Sequence, residues 1–138
     1  MTICRKKSLF LLLLPLLISA CEIPDTEQRR IAMHLPPVGF SGNPDYGRSL
    51  FNNYCAGCHG LRGLGTQQGP PLMHQTYRSD HHADFVFHMA VRDGVRSHHW
   101  GFGDMKPLPN VTPEATEHII AYIRQEQRKK GISPSGDP

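Results

Sequence analysis

The feature that most constrains this chain is a five-residue motif near its middle, Cys55-Ala56-Gly57-Cys58-His59. Two thiols separated by two residues, with an imidazole directly after the second, have the spacing that attaches a c-type haem. The two sulfurs can bond to the two vinyl groups of one porphyrin, and the imidazole can bind its iron. We therefore predict that Cys55 and Cys58 attach one covalent haem c and that His59 is an iron ligand.

Three other uses of the motif compete with haem attachment. A dithiol redox motif favours a βαβ context, whereas residues 60–65 form a glycine-rich stretch. A structural zinc site needs a second ligand pair, and the other two cysteines, Cys4 and Cys21, lie in or at the end of a leader sequence. A structural disulfide would leave His59 without a role. Haem attachment is the interpretation that uses all three side chains.

Residues 1–20 have the pattern of a secretory signal peptide. A basic start is followed by an apolar run over residues 9–18, too short to span a bilayer, and then by small residues. Residues 18–21, Ile-Ser-Ala-Cys, resemble the lipobox of bacterial lipoproteins, in which the cysteine becomes the acylated first residue. We predict a lipid anchor at Cys21; the alternative is ordinary cleavage near Ala20.

The charge of the chain does not indicate a nucleic-acid partner. The formal net charge of +3 is contributed entirely by the leader, so the remainder is balanced. The remainder is long enough for one small domain, whose limited core a covalently held cofactor would enlarge. The expected regions are a signal peptide at 1–20, an anchor and tether or surface-laid arm at 21–42, the haem domain at 43–131 and a disordered tail at 132–138.

Three helices are expected within the domain. An N-cap residue followed by proline opens the first and the last, and a glycine follows the middle and the last. Gly47 costs about 1 kcal/mol relative to alanine inside the first helix, so we expect the last helix to approach it closely. Val86, Phe87 and Ala90 share one apolar side of the middle helix. No segment has the alternation of a strand. The expected helices cover residues 43–54, 82–92 and 112–130.

From about residue 44 to 130 the chain resembles the class I bacterial cytochromes c. The likeness rests on Gly47, Leu50 and Phe51 ahead of the motif, on the glycine after it, and on Tyr-Ile-Arg at residues 122–124 of the last helix. The resemblance implies an all-α fold of about three helices, with long loops wrapped around one covalently bound haem.

The resemblance also implies two further site residues. Residues 69–72, Gly-Pro-Pro-Leu, match a family segment whose proline carbonyl accepts the second N–H of the proximal histidine. Pro70 is thus the expected partner of His59, which would orient the ring and raise its basicity. Met105 corresponds in position to the family's methionine loop and is the expected second axial ligand. Lys106 follows it where the family usually has proline.

Other residues remain alternatives to Met105. Met89 lies within the middle helix, where a methionine usually fills core space. Met73 follows the proximal loop too closely to cross to the other face of the haem. Replacement of the methionine by His98 or His99 would give a bis-histidine iron of lower potential.

Histidine is unusually frequent, with nine residues in the chain. One interpretation is a second metal site, most naturally for copper, because imidazoles suit copper. The alternative is solvated or core histidines, or one partner of a haem propionate, since no set has a compact ligand spacing. Tyr77, Arg78 and Trp100 are further candidates to bond to the propionates. The histidines concerned are His74, His81, His82, His88, His98 and His99.

The family resemblance implies a one-electron carrier in an extracytoplasmic transport chain, and no enzyme activity. Its partners would be redox proteins, and a monomer is expected. The lipid at Cys21 would hold it to the inner or the outer membrane. An alternative function is a haem- or copper-binding sensor or metallochaperone that uses the histidine-rich segment 74–99. An enzyme that activates oxygen or peroxide would need an open position on the iron.

Overall fold

The computed structural model describes residues 25–132, and this part of the chain is all-α, as was predicted. Its one extended pairing is an isolated antiparallel bridge between Val95 and Met105. The predicted signal peptide, the predicted lipid anchor at Cys21 and residues 133–138 lie outside the described residues. The helices are α1 (Thr26–Ala32), α2 (Pro44–Tyr54), α3 (Ala56–His59), α4 (Asp84–Asp93) and α5 (Pro113–Lys129), with short 3-10 turns at Leu61–Gly63 and Gln75–Tyr77.

The two principal helices, α2 and α5, begin where the sequence predicts. The Asn43 side chain accepts hydrogen bonds from the amides of Asp45 and Tyr46, and proline occupies the first position of α2. The Thr112 side chain accepts from the amide of Ala115 at the start of α5. Because these bonds satisfy amides that have no partner within the helix, they define where each helix starts.

α2 and α5 cross at Gly47, as the sequence predicts. A methyl group on Gly47 would lie 1.8 Å from the carbonyl oxygen of His118 on α5, so only glycine permits this approach. One turn further along, the rings of Phe51 and Tyr122 lie 5.5 Å apart between their centroids. The buried hydrophobic core surrounds this crossing and consists of Phe51, Leu72, Val91, Val111, Ile119, Tyr122 and Ile123.

α4 buries His88 and Val91, and Phe87 of the predicted apolar side packs against the same core. Val86 of that side is 38% exposed. His88 tolerates burial because its Nε2 lies 3.0 Å from a carboxylate oxygen of Glu117 on α5. The burial of His88 was not predicted, because the group that compensates it lies on another helix.

The segment before α2 contains a helix that the sequence did not predict. A capping box opens α1, although none of its residues is buried. The end of α1 and the residues after it lie on α4 and α5. The Ala32 carbonyl accepts from Arg92, the His34 ring lies 6.2 Å from that of His88, and His34 Nε2 lies 3.4 Å from the Thr116 hydroxyl on α5. Residues 32–34 therefore lie against the domain, as a surface-laid arm would. No helix within residues 25–132 has the length and apolar character to cross a membrane.

Residue 132, one position beyond the predicted end of the domain, is still packed against it. Ile132, which the sequence assigned to the tail, is buried, and its amide donates to the carbonyl of Gln127 at 2.9 Å. The apolar side chain closes the end of α5. Its burial is a small correction to the predicted start of the tail.

Glu126 on α5 provides a test of this packing. Its buried carboxylate accepts from Lys129 Nζ at 2.7 Å and from Arg62 Nε at 2.8 Å. The hydrogen bond from Lys129, with a smaller contribution from Arg62, lowers the pKa of Glu126 despite its burial. A lowered carboxyl pKa contributes stability above the ordinary glutamate pKa, and this contribution is lost as the pH falls through the lowered value.

We expect Glu126→Gln to reduce the free energy of unfolding by about 1 kcal/mol at pH 7, because both cations are half exposed and screened by water. The difference in the free energy of unfolding between parent and variant should shrink as the pH falls below the ordinary glutamate pKa. Urea unfolding of the haem-loaded protein at pH 7 and pH 3 measures it, with exposed Glu27→Gln as the control. A deficit that grows in acid would contradict this account.

Candidate haem site

The cysteine motif forms a tight helical turn directly after α2. The amide of Cys55 donates to the Phe51 carbonyl at 2.8 Å, which ends α2. The amides of Cys58 and His59 then both donate to the Cys55 carbonyl, at 3.2 and 2.9 Å. Residues three and four apart on a helical turn share one face. The turn therefore places the two predicted thioether cysteines and the predicted iron ligand on the same side.

The imidazole of His59 is oriented by Pro70. Its Nδ1 lies 2.9 Å from the Pro70 carbonyl oxygen. Because a carbonyl only accepts, Nδ1 carries the proton, and Nε2 keeps its lone pair for a metal. Burial lowers the pKa of His59, which the bond to Pro70 partly opposes. The ring is therefore neutral near pH 7, as an iron ligand must be.

The loop that delivers Pro70 folds back onto the motif. Gly60 has φ of +75°, and a methyl group there would lie 2.4 Å from the carbonyl oxygen of Gly65. The amide of Gly65 donates to the His59 carbonyl at 2.6 Å, and the Thr66 hydroxyl donates to the Cys58 carbonyl at 2.5 Å. The carbonyl groups of Cys58 and His59 thus hold the start of the loop, and the same loop carries the Pro70 carbonyl that orients the His59 ring.

The two thiols suit thioether attachment better than redox exchange. Cys55 is partly buried and Cys58 is exposed, and both are free. Burial, with a smaller contribution from Cys58, raises the pKa of Cys55 to about 12. Reactive redox cysteines have lowered pKa values because the thiolate is the nucleophile. The dithiol alternative is therefore disfavoured by the surroundings of Cys55.

The main chain of Met105 is held beside the end of α4. Its amide and carbonyl form a two-bond bridge with Val95, at 2.9 and 3.0 Å. Gly94 lies close to the same carbonyl and to Pro107. The main chain at Met105 is therefore held by contacts with both Val95 and Gly94. Met73, by contrast, packs against the hydrophobic core. Iron ligation by Met105 stays a prediction.

Large apolar side chains are exposed next to the motif and in two other segments of the domain. Several large hydrophobic side chains are more than a third exposed in the segments that flank the motif, on α4 and near Met105. Together with two free thiols and one neutral imidazole, they fit a covalently attached porphyrin. These side chains are Tyr54, Leu61, Leu64, Phe85, Val86 and Phe102.

The structure separates the predicted histidines into different environments. His88 lies in the interior against Glu117. His74 packs edge-on against Trp100, with ring centroids 5.0 Å apart. Three others, His81, His82 and His99, come together although the sequence showed no compact ligand spacing. His98 stacks beside His99 at 4.2 Å between centroids.

The candidates for propionate bonding are engaged with one another or with a neighbour. The Trp100 indole N–H donates to the Tyr77 hydroxyl at 3.1 Å, which links two loops. Arg78 forms a bidentate pair with Asp80, at 2.9 and 2.8 Å. The Tyr77 hydroxyl still has its own proton to donate. A role of these residues toward propionates stays a prediction.

Two polar residues of α5 have a positioning role that the sequence did not reveal. The guanidinium of Arg124 donates to the Tyr77 carbonyl at 2.6 Å and to the His82 carbonyl, and it pairs with Asp84 at 2.7 Å. Gln127 donates to the Tyr77 carbonyl at 3.0 Å as well. The available signal was an arginine and a glutamine three residues apart on the buried stripe of α5.

Comparisons with known proteins identify the family of the chain. Residues 44–127 match the model of the family described as cytochrome c. A similar solved structure is the cytochrome cL of the marine methylotrophic bacterium Methylophaga aminisulfidivorans, at 32% identity and a TM-score of 0.45. The alignment covers 59% of this chain and 52% of the other, so this chain spans about half the length of that protein. No curated protein matches the chain.

Proposed function

Because this chain belongs to the cytochrome c family, we propose that it is a haem-based electron carrier that transfers single electrons with His59 and Met105 as axial ligands. The covalently bound haem c supplies a one-electron couple between ferric and ferrous iron. The observation that carries the proposal is the bond from His59 Nδ1 to the Pro70 carbonyl, which leaves Nε2 free on the turn that holds both thiols.

Each residue of the proposed site has a distinct task. The sulfurs of Cys55 and Cys58 hold the porphyrin, and the Pro70 carbonyl fixes the ring orientation of His59 and raises its basicity. The Val95 bridge holds the Met105 main chain in place. With His59 and Met105 both bound, the iron would have no open position for oxygen or peroxide, and this would favour a carrier over an enzyme.

The cellular setting is also part of the proposal. The signal-peptide pattern and the lipobox-like ending at Cys21 support an extracytoplasmic protein held to a membrane by a lipid. We propose redox proteins as its donor and acceptor, and a monomeric carrier. The balanced charge beyond the leader gives no support for a nucleic-acid partner.

Replacement of the proposed sulfur ligand tests the coordination. We expect Met105→Ala to abolish the far-red sulfur-to-iron charge-transfer band of the ferric protein, because the iron loses its thioether ligand. The variant should also bind added cyanide or imidazole more tightly, at least about 10-fold, since no protein ligand must be displaced. Absorption spectra and ligand titrations measure both effects.

The matched control is Met73→Ala, which removes a methionine that packs against the core. We expect it to keep the charge-transfer band while lowering stability. Unchanged spectra in Met105→Ala, or loss of the band in Met73→Ala, would refute Met105 as the ligand.

A further inference from the structure

We propose that His81, His82 and His99 form a second metal site, which binds a divalent late first-row transition ion separately from the haem iron. Each ring offers one nitrogen, and these nitrogens all lie within 4.8 Å of one another. The site joins the turn before α4 to the loop between α4 and α5. Because its ligands are distinct from the haem residues, the proposal does not depend on the haem ligation proposed above.

The hydrogen bonds orient His82 for metal binding. Its Nδ1 lies 2.6 Å from the carbonyl oxygen of Thr76. A carbonyl only accepts, so Nδ1 carries the proton and Nε2 presents its lone pair. Metal-binding histidines commonly donate their second ring N–H to a carbonyl in this way, which fixes tautomer and ring orientation. His82 therefore has the outer hydrogen bond typical of a ligand.

The neighbouring His98 has the same arrangement, and His74 has the opposite one. His98 Nδ1 lies 2.8 Å from the Arg96 carbonyl, and its ring lies 4.2 Å from that of His99 between centroids, at a tilt of 50°. In His74, Nδ1 accepts from the Thr76 amide at 3.2 Å. Nε2 of His74 then carries the proton and has no lone pair for a metal. His74 is therefore an internal control for the proposed site.

The backbone that carries the three ligands is braced from α5. The amides of His81 and His82 both donate to the Arg78 carbonyl, at 3.1 and 2.6 Å, which forms a tight turn. Buried Arg124 donates to the His82 carbonyl. The bond between Trp100 and Tyr77 holds the loop of His99 against this turn. Such support reduces the ordering cost of binding a metal.

The chemistry of the three ligands selects the class of ion. Imidazole nitrogen suits copper, zinc and nickel, whereas calcium and magnesium require oxygen ligands. Tetrahedral zinc, with bonds of about 2.0–2.1 Å, needs nitrogens about 3.3 Å apart, so the exposed rings of His81 and His99 must close slightly.

The test is calorimetric titration of the haem-loaded protein with Cu²⁺ and, separately, with Zn²⁺. We expect one ion per chain in at least one arm, with Cu²⁺ tighter than Zn²⁺ if both bind, because affinity follows that order for a given site. His82→Ala and His99→Ala should each weaken binding at least roughly 100-fold, because each removes a direct ligand. His74→Ala should change affinity by less than about threefold, since its Nε2 is protonated.

The haem absorption spectrum of each variant shows whether the domain is folded, independently of metal binding. His99 is exposed, so its replacement keeps the test valid if His82→Ala fails to fold. Absence of stoichiometric binding for both ions would overturn the proposal. An equal loss of affinity in His74→Ala and His99→Ala would overturn it as well. An intact haem spectrum in those cases would leave the electron-carrier function standing.

Discussion

A chain in which both Cys55 and Cys58 are replaced by serine is expected to contain no covalent haem. Serine cannot form the thioether bonds, so the only remaining link would be ligation of the iron by side chains. A small domain that loses its largest apolar group also loses much of its stability, and we expect the variant to be largely unfolded at 37 °C. Intact mass and a pyridine haemochrome assay of exported protein measure the haem content.

The comparison for this variant is Cys21→Ser, which removes the proposed lipid site and leaves the motif unchanged. We expect it to keep a full complement of covalent haem and to lose its association with the membrane. Retention of haem mass by the double serine variant would refute the assignment of the motif. Loss of covalent haem in Cys21→Ser would show that the predicted leader cysteine has another role.

Gly47→Ala is expected to destabilise the domain by about 3 kcal/mol or more, near the upper end for overpacking. The added methyl would lie 1.8 Å from the His118 carbonyl oxygen and 3.1 Å from the Tyr122 Cβ, so α2 and α5 must separate. Helix propensity favours alanine over glycine by about 1 kcal/mol, which is smaller than this clash. Denaturant unfolding of the haem-loaded protein measures the difference.

Gly101→Ala is the control, because a methyl on Gly101 meets no atom within 4 Å. Its stability should stay within about 0.5 kcal/mol of the parent, as for most surface substitutions. Equal stability of Gly47→Ala and Gly101→Ala would contradict the close crossing of α2 and α5 at Gly47. The two variants together separate a packing effect from a general response to alanine.

The parts of the fold that the sequence predicted well are those with local signals. Asn43 and Thr112 each supply an oxygen to helix amides within three residues, and the prolines after them have backbone angles suited to a helix start. Gly47 carried longer-range information, because an unfavourable residue inside a helix requires a compensating contact. Local hydrogen bonding and a single steric requirement thus placed α2 against α5.

The parts that the sequence missed depend on partners far away along the chain. Nothing near His88 indicates burial, because the group that compensates it is Glu117 on another helix. α1 has no buried residue and hence no apolar period from which to predict it. His99 meets His82 only through the packing of two loops. Such encounters follow from tertiary structure, which residue spacing does not contain.

The haem site contains both kinds of feature, those with a local signal and those that depend on residues farther along the chain. The motif itself is local, since Cys55, Cys58 and His59 follow one another within a single helical turn. The partner of His59 is eleven residues away, and only resemblance to a family indicated Pro70. Met105 was likewise proposed by resemblance, because no local rule distinguishes a ligand methionine from one that fills space.

The contact between the end of α1 and the domain determines from which side the preceding chain arrives. The Ala32 carbonyl accepts from Arg92 on α4, and the seven residues of α1 span only about 10 Å. A membrane attachment ahead of α1 would therefore reach the domain from the side of α4.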